Sequence, residues 1–195
     1  MTGRSSTSLR ADARRNIDAL LQAALAVFSD QGIDAPMRTI ANRAGVGVGT
    51  LYRHFPQRSD LIKAIIRREV EALVEAANDL VEQHEPGAAL ATWLSLVVDL
   101  VATKRGLGPA LHSGDAAYQS LPDYVFGALI HPLHMLLASA AAANIIRSDV
   151  DAGDLLNAVL RVATPASEGD VAQAKRMVAL LVNGLYHRPN AALPS

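Results

Sequence analysis

The 195-residue chain contains no cysteine. That excludes disulfide bridges, thiolate-ligated zinc, iron–sulfur clusters and a thiol nucleophile, and it is compatible with a reducing compartment. Aromatic residues are scarce: one Trp, four Tyr and three Phe. The apolar half of the chain is mostly Ala and Leu, which favour helices, whereas strands draw on β-branched and aromatic residues. Long hydrophobic runs are missing too. Ala88–Ala102 and Met135–Ile146 are too short or are broken by Asp99, against the roughly 18 apolar residues of a membrane span. Met1–Ser8 is polar with no apolar stretch behind it, so no signal peptide is expected. No G-x-S-x-G, H-E-x-x-H or P-loop pattern occurs. What is present is ample material for a core, since 50% of residues are hydrophobic and only 19% charged.

The net charge of −1 conceals an asymmetry. Residues 1–68 hold eleven Lys/Arg and five Asp/Glu, a net +6, and the remainder holds seven and fourteen, a net −7. A basic head on an acidic body suggests a polyanionic partner for the head alone. A chance excess on a solvated surface would look the same.

Apolar spacing predicts an all-α chain of about nine helices. After a Ser/Thr-rich arm at 1–9, Ile17, Leu20, Leu21, Ala24, Leu25 and Phe28 mark one helix face, ended by Gly32 as a left-handed cap. Pro36 suits the first turn of a second helix, Met37–Ala44. A third covers Val48–His54, stopping before Pro56, and a fourth starts near Arg58-Ser59-Asp60. Further helices are expected over Ala88–Thr103, Pro122–Ile146 with a kink at Pro132, Asp149–Ala163 capped by Asp149 or Asp151, and Asp170–Tyr186. Turns and loops are expected over Lys104–Leu121, with a helical turn through Leu111, and over Thr164–Gly169, and a frayed tail over His187–Ser195.

The informative segment is Pro36–Phe55, PMRTIANRAGVGVGTLYRHF. Two short helices joined by a Gly-bearing turn form a helix-turn-helix unit, whose second helix can enter the major groove by its N-terminal end. Gly47 and Gly49 leave that end bare, so backbone can approach DNA closely. Thr50, Tyr52, Arg53 and His54 offer donors to phosphates or base edges. A purely structural helical hairpin remains open on spacing alone. So does the rival reading of an all-helical small-molecule-binding or enzymatic protein.

The run IANRAGVGVGTLYRHFPQRSDL resembles the DNA-binding signature of the TetR family of bacterial transcriptional regulators. The resemblance covers about residues 10–66, and more weakly the body, where WLSLVVDLVATKRGLGPAL and the last helices are similar to the SbtR-like subgroup. It implies a head at 1–58 and a helical ligand-binding and dimerisation body at 59–195. It places base contacts on Val48, Gly49 and Arg53, and phosphate contacts on Met37 or Arg38, Thr50, Tyr52, His54 and Arg58. Gly47 stands where members often carry Ser or Thr, and Arg58 where they often carry Lys. Arg4, Arg10, Arg14 and Arg15 could add contacts. The implied partners are double-stranded DNA, a second copy of the chain and a small-molecule effector. No cofactor, metal or membrane is implied. The reading is of a ligand-responsive, non-enzymatic cytoplasmic repressor on a palindromic operator.

The dimer interface is then expected on the last two helices, at Leu155, Leu156, Val159, Leu160, Val178, Leu181, Val182 and Leu185. An effector pocket among the middle helices would draw on Trp93, Tyr118, Tyr124, Phe126, His131 and His134. His131 and His134 with His112 and Asp115 do not fix a metal site, because a third and fourth converging ligand are not evident. Asp149, Asp151 and Asp154 read more simply as helix-start charges. Gly45–Gly49 lacks the strand and third glycine of a dinucleotide site.

Overall fold

A computed structural model describes residues 3–103, 107, 115–163 and 171–186, with side chains from residue 16 on and not at 102–103. The expected turn at 104–111, apart from Leu107, the loop over 112–114 and 164–169, the tail and the four N-terminal arginine side chains lie outside them. Among the described residues the fold is all-α: α1 Gly3–Gln31, α2 Met37–Arg43, α3 Val48–His54, α4 Arg58–Gln83, α5 Pro86–Thr103, α6 Leu121–Ala142, α7 Ala152–Ala163 and α8 Val171–Asn183. A 3-10 turn, Ala116–Tyr118, precedes α6. The only pairing outside helices among the described residues is an isolated bridge between Ile146 and Tyr186.

Several boundaries differ from expectation; α7 begins at Ala152, not Asp149, and α8 ends at Asn183, not Tyr186. Helix α1 begins at Gly3, so residues 3–9 continue the helix instead of forming an arm; no Pro or Gly interrupts Arg4–Asp30. Helix α6 ends at Ala142, not Ile146. Asn144 adopts a left-handed φ of 53°, and the N–H groups of Asn144 and Ile145 return to the carbonyls of Ala141 and Ala140, a Schellman ending. Pro86 opens α5 as its first residue, two residues before the expected start at Ala88. Pro132 lies inside α6 without ending it. Asp151 is the cap of α7, its carboxylate accepting from the Asp154 N–H at 2.8 Å. Asp149 pairs instead with Arg147 at 2.7 Å.

The stretch Ala116–Ala142 is long and apolar enough to cross a membrane by length and composition, which counting unbroken apolar runs overlooked, because single polar residues such as His131 interrupt a run without lowering its average much. Within the fold it is two-faced. Val125, Leu129, Leu133, Leu136 and Leu137 are buried, while Asp123, His131 and His134 are exposed, the pattern of a core helix in a bundle.

The described residues fall into two compact units. One comprises the chain up to Arg68 with the described part of Thr103–Leu121; the other comprises Glu69–Ala102 and the chain from Pro122 on. In the first, α1 packs on α2 and α2 on α3, around Leu20, Ala24, Phe28, Ile40, Leu51 and Leu61. In the second, α7 packs on α8, and Trp93 is fully buried with its indole N–H donating to the Leu73 carbonyl at 2.8 Å. Each buried Leu, Ile or Phe side chain among these contributes about 1.5–3 kcal/mol by leaving water.

Tyr118 belongs to the first unit and is buried. Burial, reinforced by the Asp115 carboxylate, raises its phenol above the usual 10.0, with Arg58 opposing and Asp60 adding. A raised folded value means that the neutral phenol is favoured in the fold. Its stabilising contribution is full below the unfolded value and is lost as pH rises through the folded one. Denaturation of Tyr118→Phe should therefore lose less stability than the parent above about pH 10. Identical alkaline losses would contradict this environment for Tyr118.

Candidate nucleic-acid interface

The helix-turn-helix is built by local chemistry. Gly32, with φ of 81°, ends α1, and its N–H closes on the Phe28 carbonyl at 3.0 Å. Pro36 in extended conformation precedes α2, and the Thr39 N–H returns to its carbonyl at 2.8 Å. Helix α2 ends in a second Schellman motif. Gly45 has φ of 69°, and the N–H groups of Gly45 and Val46 bond the carbonyls of Asn42 and Ala41. A side chain at Gly45 would meet open space, so it is the backbone conformation that calls for glycine.

Gly47 then stands at the N-cap of α3 in extended conformation, with no side-chain cap bond. The short α3 is anchored by Leu51, which is fully buried, and by Phe55 just beyond it. That anchoring turns the other side outward. Gly49, Tyr52, Arg53 and His54 are exposed, and Val48 and Thr50 are half-exposed. Tyr52 is one of the few large apolar residues standing in water, at 48% exposure. A Cβ at Gly49 would touch nothing within 4 Å. On α2, Arg38 is exposed and Met37 buried, so of that pair Arg38 presents its side chain and Met37 only its backbone.

Arginines of the head divide into two kinds. Arg43 pairs with Asp30 at 2.8 Å and ties α2 to α1. Arg68 donates to the Asp18 carbonyl at 3.1 Å and ties α4 to α1. Arg58 donates to the carbonyls of Ile33 and Ala35 and lies over the Phe28 ring. Arg38 and Arg53 have no ion pair or hydrogen bond among the described residues. An exposed, uncommitted guanidinium at each end of the motif is free to meet a polyanion.

The other expected residues are more scattered. Tyr118 belongs to the head unit, whereas Trp93, Tyr124, Phe126, His131 and His134 belong to the second unit. Within that unit Trp93 is packed core, Tyr124 and Phe126 are half-buried, and both histidines are exposed on α6. Among the described residues no group of three or more His, Cys, Asp or Glu could hold a metal ion. Of the expected interface residues, Leu155, Leu156, Val159, Val178 and Val182 are buried within the chain, and Leu160, Leu181 and Leu185 are half-buried. Sequence reasoning missed Met177, 44% exposed, and Leu180, 71% exposed. They lie beside the inward stripe of α8, and their three-residue spacing was the available signal.

Comparison with known proteins agrees with this geometry. Residues 20–65 match the family described as bacterial regulatory proteins, tetR family. Residues 85–187 match the C-terminal domain of SbtR-like transcriptional regulators. The TetR transcriptional regulator SCO0520 from Streptomyces coelicolor is 38% identical, with 87% of this chain and 98% of that one covered and a TM-score of 0.73. A TetR transcription regulatory protein from Mycobacterium vanbaalenii is 34% identical, covering 92% and 99%, with a TM-score of 0.72. An HTH-type transcriptional regulator of Staphylococcus aureus USA300 is 26% identical over 60% of this chain and 69% of its own. With its helix-turn-helix head and its SbtR-like body, the chain belongs to the TetR family of transcriptional regulators.

Proposed function

We propose that this regulator is a ligand-responsive repressor, that it binds a palindromic operator as a homodimer in the cytoplasm, and that it catalyses no reaction. The observation that carries the DNA reading is the outward side of α3: Gly49, Tyr52, Arg53 and His54 exposed while Leu51 anchors the helix from behind. Val48, Gly49 and Arg53 are the base-facing set. Arg38, Thr50, Tyr52 and His54 hold phosphates, with the α2 and α3 N-termini supplying N–H groups. One short helix reads only a few base pairs, so two copies on two half-sites are the economical solution. Met177 and Leu180 on α8 give the second copy an apolar place to dock.

The effector reading rests on the family and on the apolar α5 and α6 of the second unit. Tyr124 and Phe126 are its polar and aromatic features there, and the absence of Lys and Arg from residues 69–83, α5 and α6 favours a neutral or cationic apolar compound. To act as a switch, such a compound must bind the DNA-incompetent state more tightly than the competent one.

The test is duplex binding by fluorescence anisotropy across a salt series. Binding should weaken steeply with salt, and Arg38→Ala should lower the slope of log K against log salt by about one on every duplex. Arg53→Ala should instead change which sequence is preferred, at about 1–3 kcal/mol for the base it contacts. Salt-independent binding, or none, would contradict the reading. An Arg53→Ala loss equal on all duplexes would make Arg53 another phosphate anchor.

A further inference from the structure

Among the head's cations, Arg58 stands apart. It is the first residue of α4, at the place where the family resemblance implies a phosphate contact and where relatives often carry Lys. Its guanidinium is committed within the head. One nitrogen, Nη1, donates both to the Ile33 carbonyl and to the Ala35 carbonyl, the latter at 2.9 Å. The guanidinium Cζ meanwhile lies 6.0 Å from the centroid of the Phe28 ring, a side chain with no exposed surface. Ile33 and Ala35 belong to the turn between α1 and α2, directly before Pro36, which caps α2 without a side-chain bond. Ala35 is only 5% exposed. Withdrawing Arg58 toward a phosphate would therefore leave a mostly buried residue's carbonyl without this donor.

Arg58 is itself held in place. The Asp60 carboxylate accepts from the Gln57 N–H at 3.1 Å, and the Asp60 N–H returns to the Gln57 carbonyl, so the first turn of α4 is closed on itself. Ten residues on, Arg68 grips Asp18, which lies ten residues before Phe28 on α1. The two arginines thus fasten α4 to α1 and its following turn at matched, antiparallel spacing. From that turn springs α2, and from α2 the recognition helix.

We infer that Arg58 is a positioning residue, a clamp that sets the α1–α2 turn and hence the aim of α2 and α3, and not a phosphate anchor. This rests on the DNA-binding reading above. The clamp suits arginine, whose long side chain reaches both carbonyls with Nη1 while Cζ lies over Phe28; an ammonium keeps the charge but not the planar shape.

Arg58→Lys and Arg58→Ala are compared with Arg38→Ala, at a temperature where circular dichroism shows each full-length chain folded. The probes are a mixed-sequence duplex and a duplex selected by the parent protein from a random pool. A clamp predicts that Arg58→Lys fails to rescue. Both Arg58 variants should lose about tenfold or more on the selected duplex and little on the mixed one, with the salt slope unchanged. Backbone amides of Ala35 and of Thr39, Ile40 and Ala41 should exchange at least about tenfold faster in both. A phosphate anchor predicts the reverse: Arg58→Lys near the parent, and Arg58→Ala losing equally on both duplexes with a slope lower by about one, as in Arg38→Ala. That result, or unchanged exchange at those amides, would overturn the clamp. If the parent chain binds no duplex, the DNA reading fails by itself, and the exchange measurement alone then decides the clamp.

Discussion

Gly49→Leu should leave the protein folded and remove its operator binding. The two effects separate because the surroundings of Gly49 are empty in the free protein: a Cβ there meets nothing within 4 Å. Leucine is a better helix former than glycine by up to about 1 kcal/mol, so thermal stability should hold or rise. In the proposed docking the same open space receives the base edges. Four added carbons at the second residue of α3 would hold the helix off the groove floor and break its direct readout. Affinity for the selected duplex should then fall toward that for random sequence, about 1,000-fold or more. Gly49→Ala should be intermediate. Paired melting and anisotropy measurements check this, and a Gly49→Leu protein that still distinguishes its operator would place the reading surface elsewhere on the head.

The second large effect is expected from Leu180→Glu. Leu180 is 71% exposed, so the substitution should change the stability of one chain by no more than about 0.5 kcal/mol. In a two-fold dimer built on α8, the same residue enters the interface twice. A glutamate there must either shed its water without a partner or drive the chains apart. Sedimentation velocity should show the parent as a dimer at micromolar concentration and the variant as a monomer, with a dissociation constant at least about 100-fold higher. Val178→Glu is the contrasting control. Val178 is 3% exposed, so that variant should lose the fold and not merely the dimer. A Leu180→Glu protein that remains dimeric would exclude α8 as the interface.

Local punctuation made the helix-turn-helix legible. Pro36, Gly45 and Pro56 bracket two helices held by Ile40, Ala41, Leu51 and Phe55, each buried, while Tyr52, on the same apolar stripe in the sequence, faces water. The expected spans Met37–Ala44 and Val48–His54 differ from the observed ones by a single residue. Side-chain partnerships across long sequence separation were not legible. Nothing in the order of residues pairs Arg58 with carbonyls 23 and 25 positions earlier, so the family resemblance alone placed it on a phosphate. Trp93 reads equally well as pocket lining or core until its N–H is seen to meet the Leu73 carbonyl. Asn144 ends α6 because asparagine tolerates the left-handed region, a tendency too weak to place a boundary in an alanine-rich stretch. On α8 the inward stripe of Ala174, Val178 and Val182 masked the outward pair, Met177 and Leu180, because both sets recur at helical spacing.

The central claim is that two copies of this head read duplex DNA through α3. Selection of duplexes from a random pool by the full-length protein, followed by sequencing, tests it most directly. A head that reads DNA in pairs should enrich an inverted repeat whose half-site centres lie about one helical turn, or a whole multiple of it, apart. Arg53→Ala should change the preferred base at symmetric positions in both halves. Enrichment of a single unrepeated site, or no enrichment above the input pool, would contradict it.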